Sequence, residues 1–318
     1  LGLSAFLSSV ITTLNIGDNL TTGNNSFDNV TIGTMTIGTD AIIVSGTFDY
    51  RSVITGDLTI GINLIARASA ATGITIGNDL TIGNTAGLES AFIQATIGND
   101  LTIGNTATLK SNAFNALNVN NIIIGDDLLI EYDNDANNAG AFYNSSILGN
   151  VTIGDNAILT GVLSQNTKGA FHASSILGNV TIGLNADIQT YSFYNSDITG
   201  NLTIGINSTI GFGAFYDNNL SSTITSLTIG SGSTLGQFSL ATHTYSSFSL
   251  GNNLIFDSKV FQYATLTGDF TVDPTWTLVE DSLDQMNIIG NFIVPNNKVL
   301  PISVFSSGSI SGDLVLGT

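Results

Sequence analysis

One short phrase, an apolar residue followed by Thr, Ile and Gly, returns along this chain about every 22 residues. Its first apolar residue falls at Leu14, Met35, Leu58, Leu80, Leu101, Ile122, Val151, Val180, Leu202, Leu227, Phe248, Phe270, Phe292 and Leu314. A fixed period of this size is the mark of a solenoid. Each unit is too small to enclose a core, so it buries its apolar face against the units before and after it.

Within a coil the pattern reads as a strand with one buried face. The first apolar residue is followed two positions later by a second (Ile60, Ile82, Ile103), and the residue between them is usually Thr. In-out-in alternation with a β-branched outward residue is strand-like. A Gly closes the phrase in 12 of 14 coils, and is expected at a backbone corner that a side chain would strain. Thirteen residues after the first apolar residue comes an aromatic row: Phe27, Phe48, Phe114, Phe193, Phe215, Phe261 and Phe305. Phe92 and Phe238 are one and two residues early, and Ala71 and Leu283 stand in for Phe. In two coils the row returns seven residues late, at Phe142 and Phe171. Those coils therefore carry insertions near 132–138 and 163–169, which must leave the stack as loops if both rows keep register.

These features predict an all-β chain, a right-handed parallel β-solenoid of about 14 coils. It fills residues 1–318 as one stack, regular over 1–238 and degenerate over 239–318, where the TIG phrase fades but the spacing persists. The chain opens inside a coil without an initiator Met, so the expectation is a processed chain or a piece of a longer one.

Composition narrows the function classes. With 24 acidic and 6 scattered basic residues the net charge is −18, which lacks the footprint of a nucleic-acid binder. No apolar run approaches the ~18 residues of a membrane helix. There is no Cys, hence no disulfide framework and no thiolate chemistry. His172 and His243 are the only histidines and lie about three coils apart, which argues against a zinc site or a His-based triad. A single Trp, Trp276, is too few for a sugar-stacking platform of the usual kind. The chain is expected to be no enzyme.

Three sets of residues invite a binding role. Asp57, Asp79 and Asp100 precede the strand phrase in successive coils, and Asp126, Asp127, Asp133 and Asp135 crowd the first insertion. Carboxylates stacked at strand spacing either accept backbone N–H groups or share a cation, for which calcium suits the ligands. Calcium is the one cofactor the sequence suggests. The two insertions should lie side by side, making Tyr132, Asp133, Asn134, Asp135, Gln165, Asn166 and Lys168 the expected partner-contact surface. Asn144, Asn150, Asn179, Asn201, Asn207 and Asn219 head Asn-x-Ser/Thr sequons and are candidate glycosylation sites; Asn19, Asn24 and Asn29 head three more.

The stretches LTIGINSTIGFGAFYDNN from Leu202 and VTIGLNADIQTYSFYNSD from Val180 resemble BspA-like leucine-rich repeats, with Gly where that family usually has Pro and no turn Cys. The segments LTIGNTATL, VTIGDNAIL and LTIGSGSTL also resemble rungs of autotransporter or haemagglutinin-type parallel β-helices. Either resemblance implies a secreted parallel solenoid at a cell surface, engaged in adhesion or host contact, with no catalytic residues carried over. The expected function is a non-catalytic extracellular structural protein that assembles with itself into a filament, sheath or surface layer. The alternative is a monomeric adhesin segment that binds host protein or glycan.

Overall fold

The computed structural model describes residues 1–2, 5–49, 51–131, 140–161, 169–218 and 222–317. The chain winds as a parallel β-solenoid of about 13 turns, with no helix. Each regular turn carries three short strands, for example Thr75–Ile76, Leu80–Ile82 and Gly87–Glu89. Like residues stack on like: Leu58 pairs with Leu80, Leu80 with Leu101 and Leu101 with Ile122, all parallel and in register. The two apolar residues of the phrase point inward and are buried, whereas the Thr between them faces out. An 18-stranded sheet covers two sides of the stack, from Val10–Ile16 to Phe248–Leu250, and a 10-stranded sheet covers the third.

The fourth side is a turn built around the aromatic column. Rings at Phe114, Phe142, Phe171, Phe193 and Phe215 lie nearly parallel, with centroids 4.6 to 5.2 Å apart. That spacing matches the ~4.7–4.9 Å between neighbouring strands, so ring stacking and backbone pairing share one repeat. Phe92 belongs to the column despite its early position, stacking on Phe114 at 5.3 Å. Phe238 does not. The backbone ladder aligns Phe215 with Leu240 and Leu240 with Phe261, so Leu240 fills the column and Phe238 sits two residues outside it.

The phrase glycines have a different physical reason from the expected one. None of Gly61, Gly83, Gly104, Gly154 or Gly183 has a positive φ. Their role is close approach: a Cβ on Gly83 would lie 2.8 Å from the backbone carbon of Gly61, and one on Gly183 would lie 2.3 Å from Asp155 Oδ1. The left-handed corner comes two residues later, at Asn63, Thr85, Thr106, Asp127, Asn156 and Asn185. Two further left-handed columns flank the aromatic one, two residues before it (Asn25, Ser69, Ser90, Asn112) and two after it (Asn29, Gln94, Asn144, Asn195). Asn tolerates this conformation better than most residues, which accounts for the Asn-rich composition. A ladder of backbone bonds holds the corners, such as Asn63 N–H to the Asn84 carbonyl and Thr85 N–H to the Asn105 carbonyl.

Gly161 and Gly169 pair antiparallel on either side of residues 162–168, which lie outside the described residues. Gly169 itself occupies a stack position, since a Cβ there would meet the Tyr191 carbonyl oxygen at 1.8 Å. The inserted residues are therefore 162–168 and not 163–169. Among the described residues no helix is long and apolar enough to cross a membrane.

Candidate functional site

The acidic column is a hydrogen-bond device. Asp57 Oδ1 accepts the Asp79 N–H at 3.4 Å, and Asp79 Oδ1 accepts the Asp100 N–H at 3.1 Å. Asn121, Asn150 and Asn179 do the same in the next coils, each accepting the backbone N–H of its successor at 2.7 to 2.9 Å. Asp126 Oδ1 accepts from Asp155 N–H at 2.9 Å in a parallel column one corner along. Among the described residues no three His, Asp or Glu side chains converge on one point. Asp133 and Asp135 lie outside the described residues, as do all of Tyr132, Asn134, Gln165, Asn166 and Lys168. Of the sequon residues, Asn144, Asn150, Asn179, Asn201 and Asn207 are exposed, and Asn219 lies outside the described residues. The Oδ1 atoms of Asn150 and Asn179 are engaged in the column.

The two histidines occupy different buried settings. His172 lies between Tyr143 and Tyr194, with centroids 5.4 and 5.2 Å away. Burial pushes its imidazole down to about 4. His243 Nε2 donates to the Phe215 carbonyl. It stands where Ser145, Ser174 and Ser196 donate to the carbonyls of Phe114, Phe142 and Phe171 in earlier coils. Burial lowers its pKa as well.

One concavity, among the described residues, is a feature that sequence reasoning passed over. Residues directly after the aromatic column form a second ring column, His172, Tyr194 and Tyr216, the last two stacked at 5.9 Å and 7°. Tyr191 approaches Tyr194 at 4.8 Å and is tilted by 56°. Phe212 and Phe238 close the group edge-on, Phe212 against Tyr191 at 5.6 Å and Phe238 against both Phe212 and Tyr216. The rings enclose a cleft of about 350 Å³, completed by Asn218 and Gln262. It lies beside a coil lengthened to 25 residues between Leu202 and Leu227. Among the described residues the lining carries no formal charge, and Lys259 Nζ lies 6.0 Å from the Phe238 ring centroid. Asn218 Nδ2 donates to the Tyr194 hydroxyl, and Gln262 Nε2 is anchored on the buried Asp284 carboxylate at 3.2 Å. Burial pushes the Tyr191 and Tyr194 hydroxyls above the usual phenol range.

No family model, curated protein or solved structure matches the chain. What the cleft can do is therefore argued from its own chemistry. It offers ring faces, hydroxyls and amides. Among the described residues its lining has no nucleophile with an adjacent base and no carboxylate. The signal available in the sequence was the dipeptide pattern Phe142-Tyr143, Phe171-His172, Phe193-Tyr194 and Phe215-Tyr216, which repeats a ring beside the core column over four coils.

Proposed function

We infer that this protein is a non-catalytic structural element of an extracellular surface, which assembles with its own copies into a filament, sheath or surface layer. The observation that carries this reading is the self-complementarity of the rungs. Successive coils of the regular stretch present like apolar columns and the same backbone donors and acceptors on both edges, so one such rung can receive another. A second copy stacked on such an edge would extend the ladder with no new chemistry. An acidic, Lys-poor and Cys-free surface supports an extracellular setting.

The net charge of −18 sets a condition on assembly. Copies repel one another until salt screens them, so association should strengthen as ionic strength rises. Sedimentation and electron microscopy of the purified chain across a salt series test this. Elongated or sheet-like particles growing with concentration and salt are expected. A monodisperse monomer at high concentration under every condition would remove the reading.

A further inference from the structure

We propose that the cleft between Tyr191, Tyr194, Tyr216 and Phe238 binds a neutral saccharide unit, stacking a sugar ring on its aromatic faces and bonding sugar hydroxyls through tyrosine and amide groups. The site lies on the turn side of coils in the middle of the stack. It is therefore independent of the rung edges on which self-assembly would depend.

The backbone supplies the first argument. Two residues before the aromatic column the chain turns through a left-handed corner in coil after coil. The corner residue is Asn25, Gly46, Ser69, Ser90 or Asn112 early in the chain, and Lys259, Asp281 or Ser303 late in it. Only at Tyr191 and Phe238 does an aromatic residue take this corner, each with φ of 57°. Bulky residues are disfavoured there, and Asn makes the same turn elsewhere in the molecule, so the fold does not require these rings. Gly213 occupies the corner between them, and a Cβ on it would lie 2.6 Å from the Tyr191 ring. Glycine at that one position gives the Tyr191 ring room to lie over the corner. Two corners, on either side of Gly213, thus depart from the column's usual choice in the direction that builds the cleft.

The chemistry of the lining supplies the second argument. Among the described residues the hydroxyls of Tyr191 and Tyr216 have no hydrogen-bond partner in the protein, and the Tyr194 hydroxyl accepts from Asn218 while keeping its own proton to donate. An anion would find no cation among the described lining residues, and the nearby Lys259 Nζ lies over the Phe238 ring, 6.0 Å from its centroid. A quaternary ammonium would find rings but no carboxylate to balance its charge. A neutral polyol with one apolar ring face uses both features, the ring faces and the unpaired hydroxyls. The volume of about 350 Å³ lies at the small end of ligand sites, which run from about 300 to 1,000 Å³, and suits one or two sugar rings.

The test is titration of the purified chain with a panel of neutral hexoses, N-acetylhexosamines and their short oligomers, followed by tyrosine fluorescence and saturation-transfer NMR. The partner in the comparison is the double variant Tyr191→Asn/Phe238→Asn. Asn is the column's own residue, so this variant should melt at the same temperature or higher. At least one neutral saccharide should bind the native chain with transfer to aromatic protons, and bind the double variant about tenfold more weakly or worse. Three results would each overturn the proposal: no neutral saccharide binds at millimolar concentration, the double variant binds equally well, or only charged ligands bind. Assembly of the double variant, measured alongside, should be unchanged, which keeps this outcome separate from that of the assembly reading.

Discussion

The strand phrase pairs without a break from Leu58 to Ile229, but between Phe248–Leu250 and Phe270–Thr271 no strand pairing joins successive coils. The sheet on the neighbouring side continues past this point, through Thr244–Tyr245, Thr265–Leu266 and Asn287–Ile288. So the stack goes on while one of its faces opens. Ring geometry differs across this point. In the regular half, aromatic rings stack in parallel at 4.6 to 5.3 Å, which strand spacing accommodates. In the degenerate half Phe248 meets Phe270 at 5.8 Å and 77°, and Trp276 crosses Phe270 at 6.0 Å. Edge-to-face pairs are good contacts, and width alone does not part the rungs: Phe270 stays paired with Phe292 in the next coil although their rings lie 5.9 Å apart at 31°. A cleft of about 290 Å³ lies between the Phe248 and Phe270 rungs. Like-on-like stacking is thus a constraint on volume and orientation as much as on hydrophobicity.

The contrast is sharpest at two glycines. A Cβ on Gly183, in the regular half, would lie 2.3 Å from Asp155 Oδ1 and 2.6 Å from the Gly154 backbone carbon. Backbone cannot yield there without parting the rungs. Gly183→Ala should therefore cost about 3 kcal/mol or more, at the upper end of overpacking effects. A Cβ on Gly268, beside the opened face, would meet only the Ser246 carbonyl oxygen at 3.7 Å, and its φ is not positive. Gly268→Ala should be neutral or stabilise by up to ~1 kcal/mol through the unfolded chain. Urea unfolding of the two variants decides the matter, and equal midpoints would mean that the two halves are packed alike.

A smaller effect probes burial in the regular half through pH. The His172 imidazole is held down to about 4 by burial between Tyr143 and Tyr194, against 6.5 when free. Its folded-state pKa is depressed, so on acidification the unfolded chain takes up a proton that the folded chain refuses. The stability this neutral ring contributes is complete above pH 6.5 and is lost as pH falls from 6.5 toward about 4. His243, lowered in the same direction by burial, acts in the same sense. The melting temperature should fall through that window, and His172→Phe, which preserves the stack, should make the fall shallower. An unchanged slope in His172→Phe would show that carboxylates alone govern the acid limb.

How much of this was legible in the sequence differs between backbone and site. The period was open to reading because Leu80, Leu101 and Ile122 do one job in successive coils, and a parallel in-register stack turns that identity into spacing. The role of the phrase glycines was not, because a missing Cβ can serve a corner or a close approach and only the neighbouring coil distinguishes them. Phe238 was misplaced for a related reason. A phenylalanine two residues off register looks like drift in the core column, whereas the backbone puts it at a left-handed corner and gives the column to Leu240. The aromatic cleft was hidden because its members come from three coils and two different corner positions. Only the tyrosines following Phe193 and Phe215 repeat in a way that periodicity could flag.

The smallest expected effect lies in the acidic column, where Asp57, Asp79 and Asp100 do the work that Asn121, Asn150 and Asn179 do further along. Both side chains offer one oxygen to the next rung's N–H, and the carboxylates add only mutual repulsion at strand spacing. Asp79→Asn should then shift stability by no more than ~0.5 kcal/mol, in the stabilising direction, as for surface changes that keep their hydrogen bond. A calcium ion shared between these carboxylates, as we propose from their stacking, would reverse the sign. The native chain would melt higher with calcium than with a chelator, and Asp79→Asn would abolish the difference while lowering the melting point in calcium. Identical melting of both proteins with and without chelator would leave the column a hydrogen-bond ladder and nothing more, the same device in the acidic coils as in the amide ones.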